Sequence, residues 1–109
     1  MADCLLTDEA DQDLLAIARY TDRKWGREQA LKYAVLLEAH LAALVRREPV
    51  ERAAFRHRDD LRVSRCQHHY VFFVRDRGDD LLVLAVLHES MDLEGRFQER
   101  LNDLGMDPE

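Results

Sequence analysis

A chain of 109 residues, 47% hydrophobic and with only 4 Gly and 2 Pro, has the makings of one folded domain and is not a disordered segment. Its formal charge of −6 argues against a general nucleic-acid binder, because that affinity grows with the number of phosphates neutralised. No run reaches the roughly 18 apolar residues of a membrane span, and the N-terminus lacks the basic start and long apolar stretch of a signal peptide, so the expected location is the cytoplasm.

Residues 2–6 are partly apolar and suit a first strand. Thr7 follows as a helix N-cap, with Asp8, Glu9 and Asp11 placing negative charge in the first turn. Ala10, Leu14, Ile17, Ala18, Thr21 and Trp25 then recur at helical spacing until Gly26 stops the helix. A second stripe of Ala30, Tyr33, Ala34, Leu37, Leu41 and Leu44 runs to Pro49. So short a connection predicts an antiparallel helical hairpin with its apolar faces turned to a common core. Trp25 reads either as a cap on that core or as a contact with a target.

Residues 50–60 read as charged and irregular, anchored by Phe55. Arg56, His57, Arg58, Arg62 and Arg65 form a basic patch, either a solvated edge or a landing site for an acidic partner segment. Leu61–Cys66 alternates apolar with polar and is expected to form a strand at or near a sheet edge. Tyr70–Val74 and Leu81–Leu87 are two apolar runs joined by a polar connection, which predicts a β-hairpin with Gly78 at a positive backbone angle. Neither run alternates, so both strands need cover on both faces and should be central. Beyond them Leu93, Phe97, Leu101 and Leu104 mark a short amphipathic helix, capped by Ser90 or Asp92, weakened by Gly95 and ended by Gly105. The tail 106–109 is expected to be loose.

The expectation is a single domain, 1–109, of α+β class in the order β-αα-βββ-α. A helical hairpin packs on one face of a small, mainly antiparallel sheet, with a short C-terminal helix. Cys4 and Cys66 fall in predicted strands and read as buried thiols, with a disulfide left open. His68 and His69 near Cys66 suggest a metal only superficially, since adjacent strand residues point to opposite faces; no metal site and no cofactor are expected. There is no Ser-His-Asp set, phosphate loop or dinucleotide fingerprint, so an ordinary metabolic enzyme is unsupported. His88 reads as a strand-end histidine bonding the following turn, or as a direct contact with a target.

Five strings in this order resemble the ParE branch of the RelE/ParE toxin superfamily: Leu6-Thr-Asp-Glu-Ala10, Arg23-Lys-Trp-Gly26, Asp60-Leu-Arg62, His69-Tyr-Val-Phe-Phe73 and Val86-Leu-His-Glu-Ser-Met-Asp92. The resemblance implies the toxin of a bacterial type II toxin–antitoxin module, held in a hetero-oligomer by a ParD-like antitoxin and acting on DNA gyrase by protein contact. It implies neither membrane association nor sequence-specific nucleic-acid binding. Under that reading Tyr33, Leu37, Arg62, Arg65, Tyr70 and Phe72 are expected to meet the antitoxin, and Trp25, His88, Met91, Arg96 and Phe97 the target. Two alternatives stay open. One is a ribosome-dependent messenger RNA endoribonuclease using Arg65, His69 and His88, which the acidic charge disfavours. The other is a toxin-fold protein that binds antitoxin with lost or altered toxicity, suggested by Gly95 and the acidic end.

Overall fold

The computed structural model describes residues 2–106. After β1 (Cys4–Leu6), Thr7 caps α1 (Asp8–Trp25) by accepting the Ala10 N–H on Oγ1 at 3.0 Å. Gly26, at a φ of 94°, ends that helix and begins α2 (Arg27–Val45) with no other linker. The hairpin follows from this one left-handed residue.

The remaining elements are β2 (Arg52–Phe55), β3 (Arg58–Cys66), β4 (His69–Arg75), β5 (Leu81–His88) and α3 (Leu93–Asp103). The sheet runs β1-β5-β4-β3-β2, with β1 parallel to β5 and every other pair antiparallel. The α+β class, the hairpin on one face and the short C-terminal helix are as expected. The stretch read as irregular supplies one further strand, β2, which takes the edge and places β3 inside the sheet. Its Ala53, Ala54 and flanking charges carry little strand propensity; pairing with β3, through a bulge between Ala53 and Phe55, imposes the strand on them.

The β4–β5 connection also differs. Asp79 takes the positive φ of 64°, not Gly78, because Asp76 Oδ1 accepts the N–H groups of both Gly78 (2.8 Å) and Asp80 (2.9 Å) and folds the turn around its carboxylate.

β4 and β5 are covered on both sides, as their unbroken apolar runs require. Val71, Phe73, Leu81, Val83 and Val86 face the helical hairpin through Ala10, Leu41 and Leu44. Phe72, Leu84, Ala85 and Leu87 face α3 through Phe97 and Leu101, joined by Leu61 and Val63 of β3. Leu84 and Ala85 share one face because the register slips there, with Phe72 opposite Ala85 and Phe73 opposite Val83. Asp92 caps α3, its carboxylate accepting the Gly95 N–H at 3.3 Å. Any side chain at Gly95 would start in collision with that carboxylate.

Cys4 and Cys66 are free thiols in β1 and β3. Three inter-strand spacings separate those strands, about 14 Å, too far for a disulfide. Burial pushes both thiols up from their ordinary pKa. Among the described residues no helix is long and apolar enough to cross a membrane. Of the tail 106–109, read as loose, Met106 packs against the α3 side of the core and donates its N–H to Leu101 O at 2.7 Å, while 107–109 lie outside the described residues.

Candidate functional site

Between the helices of the hairpin lies an apolar groove of about 150 Å³. Leu14, Ile17 and Ala18 of α1 form one wall, and Ala30, Ala34 and Leu37 of α2 the other. Tyr33 also lines this groove, and its hydroxyl ties the hairpin to the far end of the sheet. It accepts the His68 N–H at 3.2 Å and shares a hydrogen bond of 2.6 Å with His69 Nδ1. Burial raises the Tyr33 pKa, keeping the hydroxyl protonated.

His69 is 8% exposed and its pKa is pushed down to about 4, first by burial and then by the neighbouring His88 and His68, against the opposing pull of Glu89. In the unfolded chain this imidazole titrates near 6.5, so between those values the unfolded state binds the extra proton. Stability must therefore fall as pH falls through that window, by roughly 3 kcal/mol over its full width. His69→Gln, which keeps a hydrogen-bonding group for Tyr33, should flatten the denaturation midpoint between pH 7 and pH 4 relative to wild type. Parallel curves for the two proteins would contradict this.

Around His69 the sheet end gathers several sequence-flagged groups. His88 meets the His69 ring edge-on at 5.0 Å and stacks on His68 at 6.5 Å. Its Nδ1 accepts the Ser90 N–H at 3.0 Å and lies 2.7 Å from Ser90 Oγ, the strand-end role that its position suggested. Glu89 holds His68 Nδ1 at 2.8 Å and Arg65 Nη2 at 2.6 Å, and these partners, His68 first, keep its carboxyl below the usual range. Arg65 lies 5.5 Å from the Tyr70 ring. Arg65, His69 and His88 thus come together, with His69 Nδ1 bonded to Tyr33, His88 Nδ1 to Ser90, and Arg65 to Glu89. The arrangement offers a hydrogen-bonded surface at the end of the sheet.

The basic patch is largely neutralised within the chain. Arg58 pairs with Asp60 at 2.7 Å and Arg62 with Glu51 at 3.2 Å. Glu51 also holds Arg75 at 2.7 Å, and Arg75 Nη2 donates to Leu44 O at the end of α2. Counting like charges along the sequence could not reveal these pairings.

Of the assigned contact residues, Phe72 and Phe97 are core, and Leu37 is buried in the wall of the groove. Phe72 packs against Phe97, 4.3 Å between ring centroids, neither having surface to offer a partner. Their apolar spacing already marked them as core. Met91 and Arg96 are exposed, and Tyr70 is half-buried. Trp25 does not cap the core: it is 65% exposed, with the Lys24 ammonium 5.6 Å from its ring.

The sequence reading passed over Asp13 and Arg100. β1 ends where Leu6 meets Val83, so the outer edge of β5 beyond that point has no strand beside it. Asp13 Oδ2 accepts the Val86 N–H at 3.0 Å, Arg100 donates to Leu84 O at 3.0 Å, and the two side chains form a bidentate pair at 2.8 and 2.9 Å. A signal existed: Asp13 lies three residues from Ala10, and Arg100 three from Phe97, each on an otherwise apolar stripe.

Comparison with known proteins adds three findings. The family profile of the ParE toxin of type II toxin-antitoxin system, parDE, matches residues 4–93. A Toxin ParE of Escherichia coli is 43% identical over 97 residues, covering 89% of this chain and 94% of that protein. A solved structure, the chromosomal ParDE TA system from P. aeruginosa, superposes with a TM-score of 0.66 at 22% identity, covering 81% of this chain and 96% of that one, and shares the fold.

Proposed function

The chain belongs to the ParE toxin family of type II toxin–antitoxin systems, and from that premise we propose that a ParD-like antitoxin neutralises it and that the released toxin acts on DNA gyrase by protein contact. The observation carrying the antitoxin half is the unfilled apolar groove between α1 and α2. Around it Leu15, Leu31, Val35 and Leu36 lie exposed on the same two helices. An apolar cleft flanked by exposed aliphatics suits one face of an amphipathic helix, and the outer edges of β1 and β2 suit an added strand. Contact rather than catalysis on ribosomal RNA is supported by the net charge of −6, which is ill suited to a phosphate-rich target.

Ala34 lines the groove and is exposed, so a charge there should disturb the partner and spare the fold. Ala34→Glu is expected to weaken antitoxin binding roughly 30-fold or more, since a carboxylate would be buried against apolar surface without a partner. Cells inducing this variant should arrest growth even when the antitoxin is co-expressed. Rescue equal to that of wild type would contradict the groove assignment.

A further inference from the structure

Half of the chain's fourteen arginines already hold a carboxylate: Arg46 with Glu48, Arg47 with Asp79, Arg58 with Asp60, Arg65 with Glu89, Arg100 with Asp13, and both Arg62 and Arg75 with Glu51. Of the arginines outside these pairs, Arg52, Arg56, Arg77 and Arg96 are scattered along the chain, whereas the rest cluster at the tip of the helical hairpin. There Arg19, Arg23, Lys24 and Arg27 make no ion pair with any described residue, and all four are exposed. Two rings stand among them, Trp25 at 65% exposure and Tyr20 at 51%. Lys24 joins these rings: its ammonium lies 5.6 Å from the Trp25 centroid and 5.7 Å from that of Tyr20, with Nζ 3.2 Å from the Tyr20 hydroxyl.

The tip also projects. Tyr33 of α2 is the residue that bonds the sheet end, and Gly26 precedes it by about 10 Å of helix, so the turn overhangs that end. The lining of the groove reaches no nearer the tip than Thr21 and Ala30. The exposed rings therefore lie beyond the proposed antitoxin site.

We propose that this tip is a docking knob for a protein target: Trp25 enters an apolar pocket, Tyr20 packs at its margin, and Arg19, Arg23, Lys24 and Arg27 meet carboxylates on the rim. Trp, Tyr and Arg are the side chains that dominate interface energetics, and a cationic rim around them selects an acidic partner surface. A nucleic-acid platform uses similar residues, but Asp22 and Glu28 lie within the same tip and the whole chain carries −6, a balance unfit for neutralising many phosphates. The inference deepens the contact-based reading above by assigning its target surface.

The test compares wild type with Trp25→Ala, Trp25→Phe and the double charge reversal Arg23→Glu/Lys24→Glu. Growth arrest, antitoxin affinity, and trapping of cleaved plasmid by purified DNA gyrase are measured for each. Trp25→Ala and the charge reversal should lose roughly 30-fold or more in potency, the size of an interface hot spot, with Trp25→Phe intermediate and antitoxin affinity unchanged. Unchanged antitoxin affinity also certifies the fold. Arrest by Trp25→Ala at wild-type potency overturns the knob, even if wild type traps gyrase. Arrest that depends on Trp25 without gyrase trapping leaves the knob standing and removes gyrase as its target. Trp25 is the sole tryptophan, so quenching of its fluorescence by an oligothymidylate at physiological salt would identify a nucleic-acid platform and overturn the protein pocket.

Discussion

Phe97→Ala is expected to destabilise the protein by roughly 3–5 kcal/mol, enough to release α3 from the sheet. Phe97 is fully buried and is the ring through which the C-terminal helix enters the core. It stacks on Phe55 of β2 with centroids 5.7 Å apart and planes at 9°, and packs on Phe72 of β4 at 4.3 Å. One truncation thus empties the contact between α3 and two strands. Relaxation into the void is limited, because Asp92 and Gly95 fix the start of the helix. For a domain whose total stability is of order 5–15 kcal/mol, such a loss is large. Denaturant unfolding checks it: the midpoint should fall steeply, and a shift worth less than about 1 kcal/mol would show that α3 is not integral to the fold.

Arg100→Ala is expected to cost about 3 kcal/mol, toward the low end of the range for breaking a buried ion pair because each side chain retains 17% exposure. The loss is more than Coulombic. Arg100 donates to Leu84 O as well as to Asp13, whose carboxylate accepts from Val86 N–H; hydrogen bonding to Asp13 leads the rise in the Arg100 pKa. Removing the guanidinium strands a carboxylate beside a strand edge with no neighbour to cover it. Asp13→Ala strands the guanidinium and the Val86 N–H instead. The double variant should be less destabilised than the sum of the singles, since neither leaves the other's charge unpaired. Additive losses in a double-mutant cycle would show that the two side chains act independently.

The strong periodic signals were legible. Two helical stripes separated by Gly26, and two unbroken apolar runs, were enough for the hairpin, the central strands and the need for cover on both faces. β2 was not legible because Ala53 and Ala54 become strand only through pairing with β3, a long-range cause that no local window contains. Gly78 misled for a related reason: the Asp76 carboxylate organises that turn, so the left-handed residue is an aspartate. Charge was the least legible. Arg58, Arg62 and Arg65 looked like an open basic patch, whereas folding brings each a carboxylate, two of them from other elements. At the sheet end, strand register brings Arg65, His69 and His88 together, and the sequence could not show that Tyr33, Ser90 and Glu89 bond to them. Trp25 failed in the opposite direction, since its place at the end of an apolar stripe hid its exposure.

The central claim is a toxin that acts on gyrase by contact, and inducing this chain alone in bacteria tests it most directly, with DNA-damage response and translation rate followed in the same culture. A damage response and filamenting cells are expected while translation continues. Prompt loss of translation, with new messenger RNA ends within codons, would contradict it and return the chemistry to the sheet end around Arg65, His69 and His88.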